Sequence, residues 1–597
     1  MIEHPEVDVV TVGAGWTAGI AAQQLTAQGL DVVSLEKGRA QWTWPDFAHN
    51  HDELRFTHRG EMLHEIERET WTWRPNDRLP SLPMRQYGSF HPGSNLGGAG
   101  VHWSAVTWRF LPTDFDYVSH HTDRYGANAF PEGHSNQDWP VSYTDLEPHY
   151  TQFEIDTGMS GRTGNLNGEI LEGGNPFEGP RSRPYPLPPL AATRAGTRFA
   201  EAAEQLGYTP FRQPSSILSE GYTDMTGEPR AGCVYCGFCT RYGCHVDAKA
   251  SALTAHIPMA LDTGRYEIRT RCYVKHIAVD NTGLATGLVY LGADGREHFQ
   301  PARTVLLSGY TLSNVRLLLL SRSDAHPDGL GNARQQVGRN YTYQIWQAPT
   351  IGLFEGERFN TYMGNTSTSH AIYDFAGDAF DHAGLGFLGG GQLFADAGER
   401  LPIGNAEGIP AAQGEAAANG NGEPREWGAA FKQRMRHWDS FIPITMQAES
   451  PAYEFNRLDL DPNYTDFLGR PLLRLTFDFT ENEARMYAYI AQRASEIMDV
   501  MNPSQRTDNP DIQPYRIDDY QSTHNQGGAI MGTDPSNSVT NRYGQVWDAP
   551  NVFVTGAALF PQNPGANPTA TVNALMYYTL AAMRDQNYFQ RPGELLA

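Results

Sequence analysis

Four of the chain's five cysteines, Cys233, Cys236, Cys239 and Cys244, fall within twelve positions of AGCVYCGFCTRYGCHVDAKAS, spaced C-x2-C-x2-C-x4-C. Thiolates at such density point to a metal, and two chemistries compete. Structural zinc prefers two separated pairs of ligands that bracket a small fold. Here all four thiols share one loop, with Gly237 and Gly243 placed to allow sharp turns. A consecutive C-x2-C-x2-C run is the spacing that holds iron–sulfur clusters. Spacing therefore favours an iron–sulfur cluster over zinc. Four thiols in so short a run make poor sense as core residues, whereas Cys272, in an expected strand, reads as a buried core thiol. Five cysteines, four of them clustered, do not form a disulfide framework for a chain of 597 residues.

A second chemistry lies at the start of the chain. In VGAGWTAG, Gly13 and Gly15 follow the apolar run VDVVTV, Ala18 takes the third glycine position with Gly19 beside it, and Glu36 ends the next strand. Glycines there let backbone approach a pyrophosphate at a helix N-terminus, and the acidic residue accepts hydrogen bonds from the adenosine ribose. An ordinary tight turn between strand and helix is the plain alternative, but strand, helix and carboxylate all agree on a dinucleotide. A unit at the beginning of so long a chain, with room for a substrate domain, points to FAD rather than NAD.

Both sites need a scaffold. The length exceeds what one core supports, so two or more domains are expected. Strand, glycine turn, helix and strand over 7–38 begin a parallel sheet. Residues 40–110, rich in Pro, Gly and aromatics, read as long loops over a cofactor. The strands YEIRTRCYVKHIAVD, LATGLVYLG and TVLLSGY, then the helix TLSNVRLLLLS, return to the first domain. The fold class is α/β, α+β overall: a discontinuous Rossmann-like domain from 1–150, 225–345 and 525–597 carrying the cysteine loop 231–251. A substrate-binding domain from 151–224 and 346–524 is inserted, with 404–427 as a mobile low-complexity surface loop.

Composition sets limits. A net charge of −23 argues against nucleic acid as a partner. The apolar runs are shorter than the roughly 20 residues that span a bilayer. The first strand starts almost at once, leaving no room for a signal peptide. The protein is therefore expected in the cytoplasm, or exported on a partner subunit's signal.

Three further segments carry a family resemblance: NLGGAGVHWSAVTWRFLPTDF (95–115), STHNQGGAIMGTDP (522–535) and FPQNPGANPTATVNAL (560–575). Together with VGAGWTAG they resemble the glucose–methanol–choline (GMC) oxidoreductases, nearly end to end. The likeness is greater to FAD subunits of bacterial gluconate, 2-ketogluconate and sorbitol dehydrogenases. It implies FAD between a Rossmann-like and a substrate domain, and a histidine facing the flavin beside a second His or Asn. His524 and Asn567 match those positions. A neutral imidazole suits the removal of a hydroxyl proton while hydride leaves carbon for flavin N5. An amide beside it can hold the substrate oxygen without competing for the proton.

The resemblance implies more of the cofactor site. His102, in GVHWSA, matches a position that in related enzymes is bonded covalently to the flavin; the alternative is packing near the ring. Asn95, Gly97, Gly98 and Gly100 would shape backbone around the isoalloxazine. Val274 matches a backbone contact to adenine, and Gly556 and Ala557 lie where the C-terminal segment returns to the flavin. The implied activity is FAD-dependent dehydrogenation of a sugar, polyol or sugar acid. Electrons would be relayed through an iron–sulfur cluster at the cysteines, three-iron or four-iron, to a cytochrome c or quinone-linked partner, with a small subunit and membrane association through partners in the periplasm. The rival readings are an oxygen-using sugar or glycoside oxidase with structural zinc, a non-redox flavoprotein, and a binding module with a vestigial site.

Overall fold

The computed structural model describes residues 1–48, 53, 61–395, 401–403, 428–518, 520 and 522–597. The segment 404–427, expected as a mobile loop, lies outside them.

The first sheet has eight strands and a parallel centre. Strand Val7–Val12 pairs in parallel with Val32–Leu35 on one side and Glu297–Leu307 on the other. Tyr266–Arg269 extends the parallel order beyond Val32–Leu35, and Val552–Val554 joins Glu297–Leu307. Antiparallel strands Ala285–Leu291 and Tyr273–Val279, with the short Ile2–Glu3 parallel to Glu297–Leu307, complete it. Val9, Val10, Val32, Val33 and Val305 are buried, as expected of strands covered on both faces. Helix Trp16–Thr26 lies on one face, with Gly19 so close to Ala252 and Ile257 that a Cβ there would meet them at 3.1 and 3.3 Å. The C-terminal helix Thr569–Asp585 packs in the same core.

The second sheet has six antiparallel strands in the order Gln505–Asp508, Ile345–Leu353, Phe441–Ala448, Gly391–Ala395, His370–Ile372 and Phe211–Arg212. Side chains alternate along each strand. Ile345, Met446 and Leu393 therefore point to one face, where they join a core with helices Arg194–Gln205 and Glu481–Met501. The long helix starts at a capping box, Thr480 accepting from Asn482 N at 3.3 Å with Glu483 reaching back to Thr480 N. Such a cap is worth about 1 kcal/mol. Its Met486, Ile490, Ile497 and Met501 recur at helical spacing and are buried.

The other face is polar. Trp346 pairs with Gln447, and Gln447 with Gln392, in one row across three strands. That row looks towards the segments 522–526 and 563–567.

Among the described residues no helix is long and apolar enough to cross a membrane.

Candidate active site

A cavity of about 280 Å³ runs along the carboxyl ends of the parallel strands, where open α/β sheets bind their ligands. Gly13, Gly15 and Glu36 line one part of it, Val274 another. Gly98, Gly100, Gly556 and Ala557 complete the set of expected residues on its wall. Ala18 is buried in the first helix and, like Asn95, Gly97 and His102, sits behind this lining.

The residues fit a flavin dinucleotide. Gly13 has φ +90°, and a Cβ there would stand 2.8 Å from the Ser308 carbonyl oxygen. Gly15 caps helix Trp16–Thr26 without a side-chain bond, so its first N–H groups are left for an anion. The Glu36 carboxylate accepts from Ala14 N at 3.0 Å and Gly38 N at 2.7 Å, and burial raises its pKa. The 95–100 segment is tied to the first turn by Gly97 N donating to Ala14 O at 2.9 Å. It also approaches closely: a Cβ on Gly100 would fall 2.3 Å from Trp16 Nε1. Asn95 Oδ1 and His102 Nε2 are buried behind the cavity lining with no hydrogen-bond partner. Burial and the Lys249 charge depress the His102 pKa to about 3.

His524 and Asn567 are brought together, with Asn567 Nδ2 3.3 Å from His524 Nε2. Their neighbours Thr523, Asn525 and Pro568 line the cavity. His524 is half-buried, and burial lowers its pKa to about 3, so it is neutral at ordinary pH. Its Nδ1 is 2.6 Å from Gln344 Oε1, and Trp346 lies beside the ring at 5.7 Å between centroids. Thr523, at φ +59°, turns the chain into the site. Asn563 Nδ2 donates to the His524 carbonyl at 2.8 Å, joining the two catalytic segments.

Gln344, Gln447, Gln392 and Trp346 escaped the sequence reading. Glutamines in an extended stretch carry no motif; the one available signal was the alternation of apolar and polar residues in ITMQ.

The cysteine loop is built against the flavin side of the molecule. Arg241 N donates to His102 O at 2.6 Å, and Trp103 Nε1 to Ala250 O at 2.9 Å. Lys249, buried, donates from Nζ to Trp103 O at 2.9 Å, Cys239 O at 2.5 Å and Tyr242 O at 2.8 Å. Gly237 does make a turn, at φ +72°. Gly243 serves differently: a Cβ would lie 2.3 Å from the Phe47 ring, so it permits close packing rather than a turn. Cys233, Cys239 and Cys244 share one small apolar cluster with Trp103, while Cys236 packs against the main core. The donor chemistry suits iron, yet among the described residues no three Cys, His, Asp or Glu side chains converge on one metal position. Cys272 is buried as expected, burial raising its thiol to about 11, but it also lines the cavity.

Comparison with known proteins places this geometry. Family profiles described as GMC oxidoreductase match residues 198–345 and 452–575. The chain is 37% identical to the gluconate 2-dehydrogenase flavoprotein of Pantoea cypripedii, over 100% of its own length and 96% of the relative's. It is 27% identical to the 2-methyl-1,2-propanediol dehydrogenase of Mycolicibacterium austroafricanum, over 98% and 95%. Among solved structures, pyridoxine 4-oxidase from Mesorbium loti has the same fold, with a TM-score of 0.59 at 13% identity over 97% and 99% of the chains.

Proposed function

The chain belongs to the GMC oxidoreductase family and is an oxidoreductase acting on CH–OH groups, and from that premise we propose that it dehydrogenates a sugar, polyol or sugar acid. The observation that carries this reading is the pair His524–Asn567 at the edge of the flavin cavity, within a polar sheet face. The family implies FAD, which supplies the hydride acceptor when bound. Gly13, Gly15 and Glu36 would hold its adenosine and pyrophosphate, and Gly98, Gly100, Gly556 and Ala557 its remaining length.

The chain's own residues then do the proton chemistry. The hydroxyl takes the place of the Asn567 amide at His524 Nε2, which accepts its proton as the C–H bond breaks. Asn567, an amide with no proton to accept, keeps hold of the oxygen. Trp346, whose ring lies 5.7 Å from that of His524, offers a face for the carbon skeleton of the substrate beside the base. The names of the relatives, one for a sugar acid and one for a diol, support a hydroxyl-rich substrate. The test is anaerobic mixing of the holoenzyme with gluconate, aldoses, ketoses and polyols, followed by flavin absorbance. Bleaching by one of them supports the reading; a spectrum indifferent to all would sink it.

The proposal extends to the cysteine loop as an iron–sulfur site that passes electrons to a cytochrome-type partner. It is supported by the four-thiol spacing and by the bonds that tie the loop to His102 and Trp103. Since the thiols do not converge, cluster binding would require them to turn inward. Metal analysis and an EPR spectrum decide it: iron supports the relay, whereas zinc with peroxide formation in air would make the protein an oxidase.

A further inference from the structure

The four side chains His524, Gln344, Gln447 and Asn567 form a closed hydrogen-bonded ring in which Gln447 donates both ways round and Gln344 accepts from both sides. Gln344 Nε2 donates to two backbone carbonyls, Pro564 O at 2.7 Å and Ala566 O at 3.0 Å. A carbonyl can only accept, so the amide cannot be turned round without two oxygen–oxygen contacts at those distances. Its Oε1 must therefore face His524 Nδ1, 2.6 Å away. The same Oε1 accepts from Gln447 Nε2 at 2.9 Å, and Gln447 uses the other proton for Asn567 Oδ1 at 3.2 Å. Gln392 Nε2 donates to Gln447 Oε1 at 3.1 Å, which excludes the reversed Gln447 amide as well. Asn567 is left presenting its NH₂ to His524 Nε2.

We infer that Gln344 is the positioning residue that sets the proton arrangement of the base: it takes Nδ1–H and so leaves His524 Nε2 as a bare lone pair, while Gln447 orients Asn567 as a donor to the same spot. Gln344, Gln447 and Gln392 are all buried, at 0%, 1% and 0% exposure, so no water competes for these bonds. The two carbonyls that anchor Gln344 belong to the Pro564–Asn567 segment itself. Base and amide are thus held by one fixed reference, across a sheet row whose register brings Gln447 beside Gln392. A neutral amide rather than a carboxylate behind the imidazole also leaves the ring without a counter-charge. That agrees with its depressed pKa, of which burial is the cause.

The inference rests on His524 being the base proposed above, and the experiment separates the two. Long-range ¹H–¹⁵N NMR of the histidine-labelled wild-type holoenzyme, with the His524 signal assigned by its loss in H524Q, should show Nδ1 protonated and Nε2 bare. An Nε2–H tautomer would overturn the inference even if alcohols reduce the flavin. If no alcohol does, the functional reading fails while the tautomer is still read out. In kinetics, Q344L should lower kcat by about tenfold or more with KM changed far less. Q344E keeps an acceptor for Nδ1–H but sets its second oxygen against the Pro564 and Ala566 carbonyls, so it should lose kcat too, while moving the acid limb of the pH profile up by about one unit or more, which Q344L should not do. Equal losses in both variants with unchanged pH profiles would mean that Gln344 is only structural. Should Q344L fail to fold, the wild-type spectrum still decides.

Discussion

Asn567 Nδ2 lies 3.3 Å from His524 Nε2, although the two residues are 43 positions apart in the chain. That bond is long, made by a neutral donor, and occupies the lone pair a substrate hydroxyl would use. It is a placeholder: strong enough to order both side chains, and weak enough to be exchanged for an alcohol.

Removing the base should abolish turnover while sparing the cofactor site. H524A is expected to lower kcat by about 10²–10⁴ with flavin content near that of wild type. N567A should cost less in kcat and more in KM. Stopped-flow flavin reduction and the ratio of flavin to protein absorbance measure both; full activity in H524A would remove His524 from the mechanism.

The pH profile has a definite sign. Burial holds the His524 pKa at about 3 against its ordinary 6.5. The base is then deprotonated throughout the neutral range, so kcat/KM should show no fall near pH 6.5 and decline only below about pH 4. The linked stability runs the same way: the contribution of the neutral ring is complete above 6.5 and is lost as pH falls from there towards 3. A wild-type acid limb centred near 6.5 would refute this.

Glycine positions in the cavity wall should tolerate no side chain. G13A places a Cβ 2.8 Å from Ser308 O at φ +90°, and G100V starts from a Cβ 2.3 Å from Trp16 Nε1. Both proteins should be isolated with little flavin. The expected fall is at least tenfold in flavin per chain, measured after release by denaturation and proteolysis. G221A is the control, since that glycine has no positive φ and a Cβ there would meet nothing closer than Arg230 O at 3.8 Å.

His102 Nε2 is buried without a hydrogen-bond partner, and we propose it as a point of covalent attachment to the flavin. Acid-precipitated wild-type protein should keep its yellow colour, and H102A should release it. Colour lost from wild type under acid would leave His102 as a packing residue.

Lys249 should matter to stability out of proportion to its lack of a motif. K249M removes the charged donor to the carbonyls of Trp103, Cys239 and Tyr242, bonds worth about 1.5–3 kcal/mol each, although Cys239 O keeps Tyr242 N at 3.2 Å. A marked fall in the thermal midpoint is expected, with the cysteine loop exposed to thiol reagents before global unfolding. An unchanged midpoint would show that the loop stands without this clamp.

The dinucleotide turn, the cysteine loop and the GMC segments were legible in the sequence because each is local. Gly13, Gly15 and Glu36 act within one strand–helix–strand unit, where close backbone approach demands glycine and hydrogen bonding demands the carboxylate. The alternation in ITMQ likewise announces a strand with one polar face. The ring around His524 was not legible, because its members come from residues 344, 447, 524 and 567 and meet only through sheet register and chain return. Glutamine has no spacing rule that marks such a role; its direction is set by which carbonyls the fold places beside it. Tertiary structure also decided the use of Gly243, which packs on Phe47, and the double position of Cys272, in the core and on the cavity wall. Local chemistry follows from residue type, whereas the proton arrangement of the base follows from contacts between distant segments that only the packed chain creates.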